Sequence, residues 1–292
     1  MSRLRPVNKQ RLLGNSGRSV MAVGLGAMPL SLDRRPIEAT ALQVIKAFLD
    51  SGGNFIDTAN VYCIDDNDIG HNERLLQKAL SKFGKSADVI VATKGGLTRP
   101  RGGWEVDASP AWLRTSCEKS LRDLNTDCIF LYQLHAPDSK VPITESVGEL
   151  ARLQQEGKIS HIGLSNVNTK EIMSALTVAP ILSVQNRCNL LDKKSFKNGV
   201  VDLCAREGIV FIPHSPVGGY FDHGKLADHR QIKKIAEQHG VSSYQIALAW
   251  LLHKGEHILP IPGASKDTSI LDSMQAVDVL LTPEEMTALD NL

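Results

Sequence analysis

The chain has 292 residues, and its 33 basic and 32 acidic side chains leave a formal net charge of +1. This length fits either two average domains or one parallel strand-helix barrel of about 250 residues. The near balance of charge, without a run of five like charges, disfavours nucleic acid and membrane surfaces as partners. A small neutral or phosphorylated ligand is therefore expected.

Five cysteines, an odd number, occur without any Cys-x-x-Cys pair. This pattern favours neither a disulfide framework nor a zinc site, so we expect no metal and a reducing, cytoplasmic location. No apolar segment approaches the roughly 20 residues that a membrane span needs, which predicts a soluble protein.

Short apolar runs bounded by glycine, proline or asparagine alternate along the chain with amphipathic segments. The apolar runs predict eight strands, at 20–26, 54–56, 89–93, 128–134, 161–164, 182–185, 209–213 and 258–261. The amphipathic segments predict helices at 36–51, 72–83, 110–124, 143–156, 170–176, 196–207, 230–239, 244–254, 269–274 and 283–289. A turn-rich segment at 14–17 predicts a hairpin before the first strand. Eight strand-helix units imply an α/β fold, a closed (β/α)8 TIM barrel, with residues 1–292 as a single domain.

An open, doubly wound sheet would produce the same alternation of strands and helices. Its dinucleotide fingerprint, Gly-x-Gly-x-x-Gly, would be expected between the first strand and the first helix. The chain has Gly24 and Gly26 there, but Pro29 stands where the third glycine would be. The barrel is therefore the favoured architecture.

Four polar side chains follow the carboxyl ends of three predicted strands. Asp57 and Tyr62 come after the strand at 54–56. Lys94 follows the next strand, and His135 follows the one after that. Because the strand carboxyl ends of a barrel all open onto one face, we expect these side chains to converge.

These residue types describe a proton donor together with the groups that tune it. A free tyrosine has a pKa of about 10, and the ammonium of Lys94 beside it would favour the ionised form. Asp57 can keep that ammonium charged, and His135 can hydrogen-bond a substrate oxygen. Such a donor protonates a carbonyl oxygen while hydride reaches the carbon. Because no amino-acid side chain donates hydride, a nicotinamide cofactor is implied.

Four segments resemble the motifs of the aldo-keto reductase family, in the order and spacing of that family. They are Asn54-Phe-Ile-Asp57-Thr-Ala-Asn-Val-Tyr62, Ala92-Thr-Lys94-Gly, Tyr132-Gln-Leu-His135 and Ile162-Gly-Leu-Ser165-Asn166. The similarity runs from the hairpin at 12–20, which in that family closes the barrel bottom, to the last helix. It implies reversible reduction of an aldehyde or ketone with NAD(P)H.

The resemblance also implies a role for each residue. Tyr62 would be the general acid, Lys94 and Asp57 would lower its effective pKa, and His135 would position the carbonyl. Ser165, Asn166 and Gln185 would hold the nicotinamide carboxamide, and His214 stands where an aromatic residue commonly stacks on the ring. The other implied cofactor contacts lie in two loops, Ser215, Pro216, Val217 and Gly218 near the pyrophosphate and Gly263, Ser265, Lys266 and Asp272 near the adenosine.

Departures from the family pattern concern specificity. Cys63 stands where many members have glycine. The acidic insert at 64–68 that follows it would border the substrate opening and there repel anions or attract a basic substrate; the alternative is a solvated loop. Ser269 stands where an arginine often reads the 2′-phosphate of the cofactor. Lys266 is then the nearest cation, but its ammonium lacks the bidentate geometry of a guanidinium. We expect a preference for NADP(H) over NAD(H). The chain ends directly after the last predicted helix, which implies a wide substrate entrance.

Several alternatives stay open at this point. A metal-dependent barrel hydrolase would need paired ligands at strand ends, and the chain has no His-x-His. A cofactor-sensing binding module with little turnover would carry the same four residues. Ser165 and Asn166 can also be read as caps of the next helix, and Lys266 as a solvated charge. Small aldehydes, sugars, quinone-like carbonyls and pyridoxal all suit an open pocket.

Overall fold

The computed structural model describes Leu4 and residues 6–292, with only the backbone described for Tyr220 and Phe221. Its strands are β1 Gln10–Leu12, β2 Ser19–Met21, β3 Leu25–Gly26, β4 Phe55–Asp57, β5 Ile90–Gly95, β6 Leu97–Thr98, β7 Glu105–Val106, β8 Ile129–Leu134, β9 Ile159–Ser165, β10 Ile181–Arg187 and β11 Val210–His214. Its α-helices are α1 Glu38–Asp50, α2 His71–Phe83, α3 Pro110–Leu124, α4 Ile143–Gln155, α5 Thr169–Leu176, α6 Lys194–Lys197, α7 Val200–Glu207, α8 Gly219–Ala227, α9 Arg230–His239, α10 Ser243–His253, α11 Asp267–Met274 and α12 Pro283–Asp290. Within this described part, none of the helices has both the length and the apolar character that crossing a membrane requires.

Seven parallel strands form the main sheet, in the order β11-β10-β9-β8-β5-β4-β3. The segment 257–263 joins the two edges of this sheet. It bridges β11 through the pair Phe211 and Ile258, and β3 through the pair Gly26 and Gly263. The sheet therefore closes into a barrel with helices between successive strands, which confirms the predicted (β/α)8 architecture.

The closing segment forms isolated bridges rather than a full strand because Pro260 and Pro262 have no N–H to donate. Their carbonyls accept hydrogen bonds from the N–H groups of Gly24 and Gly26, at 3.0 and 2.9 Å. A Cβ at Gly26 would lie 2.8 Å from the carbonyl oxygen of Ile261. The close approach of the two backbones therefore requires glycine at this position.

The hairpin of β1 and β2 closes the bottom of the barrel, as the family resemblance implies. Leu13 and Val20 are fully buried and pack among the interior side chains of the barrel strands. Arg11, which is 1% exposed, donates a hydrogen bond to the carbonyl of Ile258 at 3.2 Å. The predicted strand at 20–26 is therefore divided, since its first residues pair in the hairpin and its last belong to the barrel.

Other elements also differ from the sequence pattern. The predicted helix at 196–207 is divided into α6 and α7 because Gly199 adopts a φ of +79°, which ends one helix and precedes the next. The pattern does not predict helix α8 or the short hairpin of β6 and β7, because their glycine-rich sequences indicate loops. Each of these follows the carboxyl end of a barrel strand, on the face where the candidate site lies.

Candidate active site

The carboxyl ends of the barrel strands bring the four predicted residues together. Asp57 ends β4, Lys94 is the penultimate residue of β5, and His135 directly follows β8. Tyr62 lies in the loop after β4. All four are buried, and His135, the most accessible of them, is only 8% exposed.

Lys94 Nζ lies at the centre of this set and donates three hydrogen bonds. The acceptors are Asp57 Oδ2 at 2.5 Å, Tyr62 Oη at 2.8 Å and the carbonyl oxygen of Thr58 at 2.9 Å. Three donated bonds are the full capacity of a charged ammonium. Burial by itself would lower the pKa of Lys94, but Asp57 and Tyr62 outweigh that effect and raise it above its ordinary value. Lys94 is therefore a buried cation.

The surroundings of Tyr62 act on its pKa in opposite directions. Burial raises the pKa of its phenol above the ordinary value, although the charge of Lys94 acts to lower it. Asp57 acts on the phenol in the same direction as burial, because a nearby negative charge disfavours a phenolate. In the free protein the lowering by Lys94 is thus outweighed, and Asp57 contributes by holding Lys94 charged. The phenol stays protonated at neutral pH, and its oxygen accepts from Lys94, which leaves its own hydrogen to donate.

Two glutamine amides hold the second oxygen of Asp57. Gln185 and Gln133 donate from Nε2 to Asp57 Oδ1, at 2.7 and 3.1 Å. The sequence interpretation missed Gln133, although it lies two residues before His135 and alternate residues of a strand face the same side. Gln185, implied as a cofactor contact, therefore also belongs to the hydrogen-bond network of the buried ion pair.

His135 lies edge-on to Tyr62, with the ring centroids 5.8 Å apart and the ring planes at 82°. Burial lowers the pKa of His135 well below its ordinary value, and Lys94 and His214 lower it further. The imidazole is therefore neutral at neutral pH. Its Nδ1 atom is buried and has no hydrogen-bond partner within the described part of the chain. Because His135 also lines the cavity described below, a role in binding or catalysis is one explanation for this unsatisfied atom.

A cavity of about 1030 Å³ opens above these residues. Asp57, Tyr62 and His135 line it, whereas Lys94 is fully buried. The implied cofactor residues that line the same cavity are Ser165, Asn166, Gln185, His214, Ser215, Pro216, Val217, Gly263, Ser265, Lys266 and Asp272. Gly218 is outside this set, and its neighbour Gly219, the first residue of α8, lines the cavity instead.

Three non-glycine lining residues, Arg34, Asn166 and Ser215, adopt the left-handed backbone conformation. Asn166 has a φ of +59° and Ser215 a φ of +53°, and such strain in non-glycine residues is frequent at functional sites. Helix α5 is capped by Asn168, which forms a capping box with Glu171. Capping of α5 therefore does not explain the presence of Ser165 and Asn166.

The cavity is also lined by residues that the sequence interpretation missed. They include Met28, Arg34, Leu97 and Trp104. Trp104 lies between β6 and β7, and the guanidinium of Arg99 is 3.9 Å from its ring centroid. These residues carry no motif, and only the packing of two separate segments, one after β3 and one after β5, brings them together.

The acidic insert at 64–68 does not have the position expected from the sequence. Asp68 binds Arg35 at 2.6 Å, and the side chain of Asp65 accepts from the backbone N–H of Asn67 at 2.9 Å. The described residues that line the cavity include none from this insert. The carboxylates of Asp65 and Asp68 are therefore directed at the protein's own groups rather than at the cavity.

Comparison with known proteins identifies the family. Residues 22–292 match the model of the Aldo/keto reductase family. The glycerol dehydrogenase AKR11B4 from Gluconobacter oxydans is 26% identical, with 97% of this chain and 94% of that one covered and a TM-score of 0.84.

Two further solved structures cover 97% of this chain and 95% of their own. The aldo-keto reductase AKR11C1 from Bacillus halodurans, in its holo form, is 29% identical with a TM-score of 0.80. An aldo-keto reductase from Klebsiella pneumoniae in complex with NADPH is 25% identical with a TM-score of 0.81. The resemblance of the sequence motifs is thereby confirmed, and this chain belongs to the aldo/keto reductase family.

Proposed function

We propose that this protein reduces an aldehyde or ketone to the alcohol, with NADP(H) as the cofactor and Tyr62 as the general acid. The observation that carries the proposal is the position of Lys94 Nζ, 2.5 Å from Asp57 Oδ2 and 2.8 Å from Tyr62 Oη. The cavity above them, of about 1030 Å³, is at the upper end of the range for small-molecule sites. That volume suits a dinucleotide together with a small carbonyl compound such as an aldehyde, a sugar or pyridoxal.

The lining residues fit a nicotinamide dinucleotide. Ser165 and Asn166 would hold the carboxamide, with His214 against the ring, and burial lowers the pKa of His214 to about 3, which keeps it uncharged. The N–H groups that begin α8 suit a pyrophosphate, and Lys266 with the first turn of α11 suits a 2′-phosphate. When bound, the nicotinamide supplies hydride to the carbonyl carbon. The NADPH complex of the Klebsiella pneumoniae relative supports NADPH as the cofactor.

Tyr62 supplies the proton that the carbonyl oxygen needs. Burial keeps the phenol protonated until a substrate is present. As the proton leaves, negative charge develops on Tyr62 Oη, and the ammonium of Lys94 at 2.8 Å stabilises it. Asp57 keeps that ammonium from losing its own proton. Neutral His135 donates an N–H to the substrate oxygen and so orients the carbonyl toward the phenol.

The variant Tyr62→Phe tests the proton donor. We expect kcat to fall by about 10² to 10⁴, the range for loss of a positioned acid, in an assay that follows NADPH absorbance over a panel of carbonyl compounds. The NADPH Kd, measured by fluorescence titration, should change little. Tyr132→Phe is the matched control, because Tyr132 is fully buried and its hydroxyl has no partner within the described residues. A loss in Tyr62→Phe no larger than in Tyr132→Phe would exclude Tyr62 as the acid.

The same panel separates an enzyme from a cofactor-sensing module. Tight NADPH binding by the wild type without turnover of any carbonyl would favour the module.

We also propose that residues 1–292 act as one domain in the cytoplasm. The closure of the sheet by the segment 257–263 and the five free cysteines support this part of the proposal.

A further inference from the structure

The lining of the cavity includes a cation without a neutralising partner in the described structure. Arg34 lies in the loop between β3 and α1, lines the cavity and is exposed. Its neighbour Arg35 binds Asp68 at 2.6 Å, but the described ion pairs and side-chain hydrogen bonds do not include the Arg34 guanidinium. This guanidinium is therefore available to a ligand in the cavity.

A chain of contacts connects the loop of this arginine to the aromatic wall of the cavity. Arg35 binds Asp68 of the acidic insert, and the carbonyl of Ile64 in the same insert accepts from Arg99 Nη2 at 2.9 Å. Arg99 in turn lies 3.9 Å from the ring centroid of Trp104. The cation and the aromatic wall are thus parts of one rim, built around the insert.

The acidic side chains of the cavity are already engaged. Asp57 is paired with the buried lysine, and Asp272 accepts from Ser242 Oγ at 2.7 Å. The two lining cations, Arg34 and Lys266, have no such partner within the described ion pairs. Lys266 lies at the start of α11, where the proposed cofactor phosphate would be, which leaves Arg34 for the substrate.

We propose that the substrate is a carbonyl compound that carries an anionic group on an apolar or aromatic body, with Arg34 as the contact for the anion. This inference rests on the proposed reductase function, in which Tyr62 fixes the carbonyl end. Met28, Leu97 and Trp104 provide the apolar wall of the same cavity. A guanidinium binds carboxylate, sulfate or phosphate with two parallel hydrogen bonds, and the substrate class is therefore opposite in charge to the one that the acidic insert suggested.

A pair of matched aldehydes tests this assignment. We expect wild type to prefer 4-carboxybenzaldehyde over its neutral methyl ester, with a preference in kcat/KM that weakens as salt is added. Arg34→Ala should lower the ratio of the two kcat/KM values about tenfold, the size expected for one charge-assisted hydrogen bond. Arg34→Lys should restore part of the ratio, because it returns the charge without the bidentate geometry.

Arg101→Ala is the control. Arg101 is exposed, has a similar left-handed backbone with φ +51° against +59° for Arg34, and is outside the set of residues that line the cavity. A ratio in Arg34→Ala equal to that in Arg101→Ala would overturn the proposal. Weaker NADPH binding in Arg34→Ala would also overturn it, because the arginine would then belong to the cofactor phosphates. A wild type that reduces neutral carbonyls but not the carboxylate would overturn it as well. Absence of turnover on every carbonyl would instead refute the reductase function itself.

Discussion

Replacing Asp57 by asparagine tests how much the buried ion pair contributes to the fold and to the site. The side chains of Lys94 and Asp57 are 0% and 2% exposed, with their charged atoms 2.5 Å apart. Asparagine keeps the shape of aspartate but leaves the ammonium buried without a counter-charge. Breaking a buried pair in this way costs about 3–5 kcal/mol of unfolding free energy. Reductase activity should fall as well, because burial then favours the neutral amine of Lys94, which cannot stabilise a phenolate.

The pair of Lys46 and Asp50 provides a matched control. Its atoms are also 2.5 Å apart, but its side chains are 53% and 62% exposed. Asp50→Asn should therefore cost less than about 1 kcal/mol in urea denaturation followed by circular dichroism. Adding Lys94→Met to Asp57→Asn should recover stability, because the unpaired buried charge is removed. Turnover should not recover, because the ammonium that stabilises the phenolate is removed with it. Equal losses in Asp57→Asn and Asp50→Asn would refute the argument that burial determines the effect of the pair.

Two further predictions concern cofactor choice and pH. Lys266→Ala should raise the NADPH Kd about tenfold and leave the NADH Kd nearly unchanged in calorimetric titrations, whereas equal losses would mean that Lys266 does not read the 2′-phosphate. Glu73 is fully buried, accepts from Thr93 Oγ1 at 2.6 Å, and burial raises its pKa from 4.5 to about 7. Its contribution to stability is therefore fully present below pH 4.5 and is lost, by about 3 kcal/mol, as the pH rises through 7. Relative to wild type, Glu73→Gln should become more stable between pH 5 and pH 8 in denaturant titrations, and a difference that does not vary with pH would contradict this.

The candidate site divides into a part that the sequence predicts and a part that it does not. Lys94 and the three residues around it lie at or just after strand carboxyl ends, and the rule that parallel strand ends share one face was enough to place them together. Gln133 was equally accessible to that reasoning through the two-residue period of β8. Trp104 and Arg34 could not be predicted in this way. They lie in loops whose sequences have no periodicity and whose positions depend on contacts with the acidic insert.

The sequence by itself determined the barrel, the family and the residues that surround the buried amine, because strand and helix patterns are local and motif spacing follows from them. Only the tertiary structure decided the charge of the groups and the character of the cavity. The pKa of Tyr62 depends on burial by the surrounding protein, which outweighs the nearby ammonium. The acidic insert binds Arg35 and leaves Arg34 facing the cavity. Both outcomes depend on contacts between distant segments, and a linear pattern of residues does not contain them.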